Sequence, residues 1–475
     1  MQAPELAEGG VAMESLGTMR KASDHRRIPT LAHKVEFILY RAAEKLLGLA
    51  SLTTVVRVGQ ILGLAAWALS GKHRRLVTRN IRIATANAAP SPIALQQCVR
   101  ETFRQAGGNL LGSLRAVIMD PKQLRDHITI EGLEHLQNPV ETGRGVIIVW
   151  SHMGNWEVLA QLVPELGPMI RGGPIYRPLS NPLLDQLTLQ RRTRQGAIVF
   201  SKEDGFMGPA ALLRSGGVLS VMSDQRAGGH GDLCPFFGRL SSCTPLPSLL
   251  ARRTGAAMVS LAIASQSSGH WRLTLRPIPD KSGTPVVMKH LELAMRDSLP
   301  DVFWFHDRWR VDSTRPLSFY TKESPSESAG HATVPTRLLA SLPTGKTDAI
   351  ACLTTLLELR PDIRIDLLEH GEAITGLPGD PRIVLVPYDP STPDEQMDGF
   401  LQRCDAAHPA PLDFVLLLDG NKALARAARR LHLRGIIGAG VSGKPWTRSF
   451  PHPESADEWR ELASALVFNH KGANA

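Results

Sequence analysis

The stretch that decides the fold is residues 145–157, which read GVIIVWSHMGNWE. The apolar run that opens it has the length of a strand buried on both faces of a sheet. A polar block with two ionisable residues, His152 and Glu157, follows at once. Because ligands of parallel α/β sheets bind beyond the carboxyl ends of the strands, this block is the first candidate for a functional site.

Around this stretch, short apolar runs alternate with helical patterns from about residue 143 onwards. The alternation predicts an α/β fold with a largely parallel central sheet and flanking helices. The predicted strands are residues 146–150, 197–200, 218–223, 258–264 and 272–276. The predicted helices are residues 156–163, 182–194 and 246–253.

The spacing of His152 and Glu157 limits how they could interact. On one continuous helix the two side chains would be about 140° apart around the axis and could not meet. A turn at Gly154, with Asn155 as helix cap and Glu157 in the first helical turn, would let the carboxylate fold back onto the imidazole. A histidine held in this way can take a proton from a hydroxyl. The alternative interpretation is a loop histidine followed by an ordinary first-turn glutamate.

The amino-terminal segment has a different pattern. Residues 1–34 contain no apolar run long enough for a secretory signal and are interpreted as a flexible cytoplasmic lead-in. Residues 35–70 are apolar but interrupted by charges, which leaves no run of about 20 uncharged residues to span a bilayer. Basic clusters flank them, so we predict two amphipathic helices that lie in a membrane interface. A buried helical hairpin of a soluble domain is the alternative.

The composition narrows the class of protein. A hydrophobic share of 43% argues against both a disordered chain and a polytopic membrane protein. The net charge of +9 favours an anionic partner, but aromatic residues make up only 5% and no nucleic-acid-binding motif appears, so nucleic acid is disfavoured. The five cysteines form no Cys-x-x-Cys pair, so neither a zinc site nor a disulfide framework is predicted.

Several further motifs accompany the His-x-x-x-x-Glu block in a fixed order. They are residues 78–82 (TRNIR), 176–182 (YRPLSNP), 223–225 (SDQ), 236–238 (FFG), 250–256 (LARRTGA) and 303–310 (FWFHDRWR). Over residues 35–312 the chain resembles the lysophospholipid acyltransferase-like enzymes of lipid A biosynthesis, the lauroyl and myristoyl transferases. One departure is Asp307, which stands where that family usually has a basic or amide residue.

The resemblance implies transfer of a fatty acyl chain from a thioester donor to a hydroxyl of a lipid A precursor, at the cytoplasmic face of the inner membrane. It favours acyl carrier protein over coenzyme A as donor, and an acidic carrier would suit a basic enzyme. It implies His152 and Glu157 as the catalytic pair, with no metal and no cofactor. The substrate-binding residues that it implies are Arg177, Asp224, Gln225, Phe237, Gly238 and Arg252.

Three of these implied residues also have an interpretation from local sequence. Arg177 follows a strand-like segment and could hold a phosphate through its planar fork of donors, or be a solvated loop residue. Asp224 follows a predicted strand and would open into the crevice of His152 as site architecture. Phe237 would lie on a mobile Gly-rich loop beginning near Gly228, suited to contact acyl chains, or belong to the core.

The predicted mechanism is direct transfer, in which His152 deprotonates the acceptor hydroxyl as its oxygen attacks the thioester carbonyl. No acyl-enzyme is required, so Cys234 and Cys243 are not needed as nucleophiles and Ser151 is interpreted as structural. Two alternatives remain: an acyltransferase acting on another glycolipid or an aminolipid, and a catalytically silent membrane scaffold.

Beyond residue 312 the composition changes. Residues 313–335 are rich in Ser, Pro and charge and are predicted to be a linker. Residues 336–475 show a second β-α pattern, which predicts a Rossmann-like α/β domain. Its predicted strands are residues 337–340, 363–368, 383–387 and 414–418, with a helix at 348–359.

This tail resembles the amino-terminal half of the family 9 glycosyltransferases, the heptosyltransferases, in residues 345–348 (GKTD), 360–366 (RPDIRID) and 414–420. Thr347 replaces the family's glycine, and the nucleotide-sugar-binding half is missing. A docking or acceptor-binding module, or a remnant, is therefore favoured over half of an enzyme completed by another chain.

Overall fold

The computed structural model describes residues 28–162, 167, 170–194, 196–203, 205–311, 315–319, 331–345, 347–371 and 374–468. The chain divides into two compact units, and each is described by itself. The first comprises Met1–Leu62, Ala106–Met222 and Pro247–Lys281, and the second comprises Gly63–Gln105, Ser223–Leu246 and Ser282–Ala475.

Four helices open the described chain. They are α1 (Leu31–Gly48), α2 (Leu52–Leu69), α3 (Gly71–Thr85) and α4 (Pro92–Ala116). The first helix begins inside the predicted lead-in because Thr30 caps it, with Oγ1 accepting a hydrogen bond from the His33 amide at 3.3 Å. The rest of the lead-in, residues 1–27, lies outside the described residues.

Within the described residues, α2 is long and apolar enough to cross a membrane, by length and composition only. The sequence predicted no span, because charged residues interrupt the stretch 35–70. The structure shows that most of these charges belong to α1, whereas Arg57 is the charged residue inside α2. Large apolar side chains of α1 are exposed, among them Leu31, Ile38, Leu39 and Leu46.

The first unit contains a seven-stranded sheet. Its strands are β1 (Ile128–Glu131), β2 (Val146–Trp150), β3 (Gly172–Tyr176), β4 (Phe200–Ser201), β5 (Val218–Met222), β8 (Ala257–Ser267) and β9 (His270–Ile278). Their order is β1-β9-β8-β2-β5-β3-β4, and every neighbouring pair is parallel except β8 with β9. All five residues of β2 are buried, as expected for a central strand covered on both faces.

Five further helices accompany this sheet along the chain. They are α5 (Pro121–Arg125), α6 (Glu134–Glu141), α7 (Pro182–Thr193), α8 (Met207–Arg214) and α9 (Leu246–Thr254). Helix α7 begins where the sequence directs it, since Asn181 caps it and Pro182 occupies its first position.

Connections from two neighbouring strands of this sheet run in opposite directions. The chain leaves β2 toward β3 on one side, whereas it leaves β5 toward β8 on the other. Such a switch point opens a crevice at the carboxyl ends of the strands. His152 follows β2 by two residues and is therefore positioned at this edge of the sheet.

The second unit contains a six-stranded, wholly parallel sheet. Its strands are β10 (Thr336–Ser341), β11 (Ile363–Glu369), β12 (Ile383–Pro387), β13 (Leu412–Leu417), β14 (Gly435–Ala439) and β15 (Arg448–Phe450). Their order is β12-β11-β10-β13-β14-β15, which is the doubly wound Rossmann order. Consecutive residues of β10, Leu338 and Leu339, point to opposite faces and belong to two separate apolar clusters, so both faces are covered.

Helices α11 (Ile350–Leu359), α12 (Met397–Ala406), α13 (Lys422–Arg430) and α14 (Ala456–Val467) alternate with or follow these strands. The unit also contains helix α10 (Thr284–Arg296) and an antiparallel hairpin of β6 (Asp232–Phe236) and β7 (Arg239–Cys243).

The predicted α/β class, the parallel sheets and the second α/β domain are confirmed. The predicted strand 197–200 is shorter in the structure, where only β4 forms. Part of the predicted linker 313–335 is packed rather than free, since Leu317 and Val334 are buried. Its residues 313–314 and 320–330 lie outside the described part of the chain.

Candidate active site

The loop after β2 is shaped by Gly154. Its φ of +57° is in the left-handed region, and a Cβ there would lie 2.4 Å from the carbonyl oxygen of Ile263 on β8. Only glycine fits this turn without displacing the neighbouring strand. The turn separates His152 from a 3₁₀ helix, Trp156–Gln161, whose first turn contains Glu157.

Asn155 occupies the cap position of this 3₁₀ helix but does not cap it with its side chain. Its Oδ1 instead accepts a hydrogen bond from Ser113 Oγ of α4 at 2.7 Å. The expectation of a side-chain cap is therefore wrong, because the buried amide is used to tie the loop to a helix from another part of the sequence. Asn155 Nδ2 is buried and has no hydrogen-bond partner among the described residues.

Glu157 is held by a residue that the sequence did not predict. Arg192 Nη2 on α7 donates to both carboxylate oxygens, at 2.8 Å and 3.1 Å. Both side chains are partly exposed. The charge-assisted bond orients the carboxylate, and Arg192 lies in the last turn of its helix, where a cation is favoured by the helix dipole.

His152 is half-buried and packs edge to face against Trp156, with ring centroids 5.4 Å apart and planes at 79°. This contact limits the directions in which the imidazole can turn. The sequence therefore predicted correctly that a Gly turn precedes a helical segment containing Glu157. The pairing of His152 with Glu157 stays a prediction.

Two motif residues after β3 are placed very differently. Arg177 is exposed and forms no ion pair with any described residue, so its guanidinium is available to a ligand. Asn181 is buried and anchors α1, since its Nδ2 donates to the His33 carbonyl at 3.0 Å and to Glu36 Oε2 at 2.8 Å. The local sequence around Asn181 indicates a helix cap but not this contact with α1.

A second link joins α1 to α7. Arg191 donates through both terminal nitrogens to the buried Glu44, with one distance of 2.8 Å, and also to Tyr40 Oη at 3.3 Å. Burial, followed by the negative charge of Glu44, raises the pKa of Tyr40 to about 12. Helix α1 is thus fixed to the first unit through polar contacts on one face.

The other predicted substrate-binding residues are spread over both units. Arg252 on α9 is exposed, and its Nε donates to the Ser248 carbonyl of its own helix at 3.3 Å. Asp224 and Gln225 follow β5 and belong to the second unit, where Asp224 is buried and Gln225 is exposed.

Phe237 and Gly238 form the turn of the β6–β7 hairpin, which corrects the predicted Gly-rich loop. Phe237 is 1% exposed, and its ring meets those of Phe236 and Trp304. Its amide donates to Glu292 Oε1 at 2.6 Å. The alternative of a core position therefore describes Phe237 better, because buried ring contacts leave it no surface for an acyl chain.

The motif around residue 80 has a structural role within the second unit. Asn80 is buried, and its Nδ2 donates to the carbonyls of Trp304 and His306, both at 2.9 Å. This joins α3 to the Trp- and Arg-rich segment 303–310. The unusual Asp307 accepts a hydrogen bond from Arg434, a partner supplied by the carboxyl-terminal part of the chain.

A buried charge network centres on Asp413. Its carboxylate accepts from Arg239 Nη1 at 2.9 Å, from Arg79, and from the Arg337 amide at 3.0 Å. Burial acts to raise the pKa of Asp413, but the Arg239, Arg79 and Arg434 guanidinium groups outweigh it and lower the pKa.

Cys234 and Cys243 are both buried, on neighbouring strands of the hairpin. Arg308 Nη2 donates to Cys243 Sγ at 3.1 Å. Neither thiol is exposed to a substrate. No group of three or more His, Cys, Asp or Glu side chains that could hold a metal occurs in the described part of the chain.

The family model described as bacterial lipid A biosynthesis acyltransferase matches residues 24–311. The lipid A biosynthesis lauroyltransferase of Escherichia coli K12 is 24% identical over 272 residues, which cover 55% of this chain and 86% of the relative. The palmitoleoyltransferase of the same organism is 23% identical over 231 residues, 47% of this chain and 73% of the relative.

Two further proteins match only part of this chain. A phosphatidylinositol mannoside acyltransferase of Mycolicibacterium smegmatis is 25% identical over 189 residues, 39% of this chain and 61% of the relative. A glycosyl transferase family 9 structure from Veillonella parvula is 15% identical with a TM-score of 0.24, and the match covers 28% of this chain and 41% of that one. By the extent of the family match, the chain belongs to the bacterial lipid A biosynthesis acyltransferases and is an acyltransferase.

Proposed function

We propose that this chain transfers a fatty acyl group from acyl carrier protein to a hydroxyl of a lipid A precursor, with His152 as general base and Glu157 as its orienting carboxylate. The observation that carries the proposal is the position of the His-x-x-x-x-Glu block at the carboxyl end of β2, at the switch point of the sheet. The family match supports the reaction class.

In this mechanism the His152 imidazole takes the proton of the acceptor hydroxyl as its oxygen attacks the thioester carbonyl. The C–O bond forms, the C–S bond breaks, and the carrier thiol leaves with a proton. Glu157 stabilises the imidazolium, and Arg192 holds the carboxylate in turn. The exposed Arg177 fits a phosphate of the acceptor, because its fork of donors matches phosphate oxygens.

Asp224, Gln225 and Arg252 stay proposed substrate-binding residues on the strength of their motifs. Phe237 and Gly238 are proposed to act through the packing of the hairpin. We propose attachment to the cytoplasmic face of the inner membrane, supported by the exposed apolar side chains of α1 and the apolar α2.

The test is acyl transfer by the purified full chain in detergent, from acyl carrier protein to a lipid A precursor. His152→Ala should lower the rate by about 10²- to 10⁴-fold, the usual contribution of general base catalysis. His135→Ala is the matched control, because His135 is a partly exposed histidine of the first unit, on α6. Circular dichroism of both variants checks that the fold is intact.

A second acceptor class is favoured by one observation, the mannoside acyltransferase among the relatives. If the wild type acylates another glycolipid or an aminolipid but no lipid A precursor, the proposed acceptor is wrong, whereas the proposed role of His152 as general base stands. If the wild type transfers no acyl group to any acceptor, from either acyl carrier protein or coenzyme A, the catalytically silent scaffold is favoured.

A further inference from the structure

A cavity of about 840 Å³ lies within the second unit. Its walls come from α3, from the beginning of α4, and from a short segment between α13 and β14 that includes His432 and Arg434. The volume is that of a site for a small organic ligand. None of the residues proposed for acyl transfer lines it.

Positive charge dominates the lining. Its cationic side chains are Lys72, Arg74, Arg75, Arg79, Arg82 and Arg434. Two carboxylates, Asp307 and Asp405, also line it, and each already has a partner. Arg434 pairs with Asp307, and Arg82 pairs with Asp405.

Three of the cations lack a carboxylate. Lys72 and Arg75 are exposed and have no hydrogen-bond or ion-pair partner among the described residues. Arg74 donates to the backbone carbonyls of Trp67 at 2.7 Å and Ala68 at 3.4 Å, which leaves its charge uncompensated. All three belong to the first turns of α3, where the helix dipole is also positive.

Two more cations of the lining, Arg79 and Arg434, are largely buried and already have carboxylate partners in Asp413 and Asp307. Burial and then the neighbouring Arg434 lower the pKa of Arg79 to about 10, although Asp413 opposes this. Burial also lowers the pKa of Arg434. With a pKa of about 10, Arg79 still carries its charge at neutral pH and adds to the positive charge of the lining.

Part of the remaining wall is apolar, beside the polar Thr78, Gln96 and His432. Trp67, Leu76, Leu95, Val99, Leu431 and Leu433 line it. The ring centroid of Trp67 lies 5.7 Å from the guanidinium carbon of Arg74, so an aromatic face adjoins the cations. The cavity thus offers an anion subsite beside an apolar surface, which suits a ligand that has both parts.

We propose that this cavity binds a phosphate-bearing ligand, with the phosphate held by Lys72, Arg74 and Arg75 and an adjoining apolar part against Trp67 and the leucines. The phosphate group can belong to a lipid headgroup or to a soluble molecule. The proposal goes beyond acyl transfer and does not depend on it, since it requires neither donor nor catalytic pair.

The experiment measures binding of two probes to the full chain. The soluble probe is pyrophosphate, titrated by calorimetry in uncharged detergent. The lipid probe is a phosphatidylcholine vesicle with added phosphatidic acid, compared by flotation with pure phosphatidylcholine. The pure phosphatidylcholine vesicle corrects for binding to the lipid surface that does not depend on the phosphate of phosphatidic acid.

The test variant is Lys72→Gln/Arg75→Gln, whose residues are exposed and pair with nothing in the described chain. The matched control is Lys422→Gln/Arg403→Gln, which removes the same charge from exposed positions outside the cavity. We expect the test variant to bind at least about tenfold more weakly, because charged hydrogen bonds to phosphate are lost. The control should bind as the wild type does.

If the test variant binds pyrophosphate more weakly than the wild type, the ligand is a soluble molecule. If the test variant, and not the control variant, loses the preference for phosphatidic acid vesicles, the ligand is a lipid headgroup. Either result supports the proposal. The proposal is overturned if the wild type binds neither probe, or if test and control variants behave alike. His152→Ala should bind both probes normally, so failure of the proposed catalysis and failure of this site are distinguishable.

Discussion

Replacement of Asp413 by asparagine should destabilise the second unit by about 3–5 kcal/mol, the cost of breaking a buried ion pair from one side. The carboxylate is 2% exposed and compensates Arg79 and Arg239, whose side chains are also mostly buried. Asparagine keeps the shape and one acceptor oxygen but removes the charge. Two buried guanidinium groups would then lack a counter-ion.

The suitable assay is hydrogen exchange of peptides from β13, measured by mass spectrometry, because it reports on this sheet and not on the whole chain. Where the opening equilibrium governs exchange, this loss corresponds to exchange roughly 150- to 5,000-fold faster. Asp398→Asn is the control, since Asp398 forms an exposed pair with Arg430 and should leave exchange unchanged.

The same variant has a defined pH dependence. The folded-state pKa of Asp413 is lowered, so its stabilisation is fully present above the unfolded-state pKa and is lost as the pH falls through the folded-state value. The difference between wild type and Asp413→Asn should therefore shrink below about pH 4. If peptides from β13 exchange hydrogen at the same rate in Asp413→Asn and in the control Asp398→Asn at neutral pH, the reasoning is refuted.

Two further predictions concern the site loop and the hairpin. Gly154→Ala should abolish most acyl transfer, because the added Cβ would lie 2.4 Å from a backbone oxygen and the φ is unfavourable. The control Gly143→Ala, with a φ of +77° and open space around it, should cost only about 1–2 kcal/mol of stability, and equal activity of the two variants would contradict the prediction. Cys234→Ala and Cys243→Ala should retain acyl transfer. Cys243→Ala should also melt at a lower temperature, because Arg308 loses a buried acceptor. A folded variant without activity would contradict the mechanism of direct acyl transfer.

Much of the site was predictable from local sequence. A continuous apolar run of five residues indicated the bounds of β2, because its shortness and β-branched residues favour a strand covered on both faces. Gly154 and Glu157 were assigned to a turn and a first helical turn from residue type alone. The start of α7 also follows from local sequence, through the Asn181 cap and Pro182, whereas the start of α1 at Leu31 was missed.

Contacts between distant segments were not predictable in this way. Nothing near Glu157 in the sequence indicates Arg192, and nothing near Asn155 indicates Ser113, since these pairs form only when separate helices pack beside β2. The choice between a loop and a core position for Phe237 stayed open for the same reason, because its neighbours Trp304 and Glu292 are more than fifty residues away.

The sequence by itself determined the α/β class, the largely parallel sheet, the second α/β domain, the position of the His-x-x-x-x-Glu block after its strand, and the family. Those features depend on periodicity and on residue type at adjacent positions. Only the tertiary structure decided which side chains meet, including the Asp413 network and the basic cavity beside α3. The reason is physical: hydrophobic patterning specifies elements locally, whereas ion pairs and cavities depend on the three-dimensional packing of those elements.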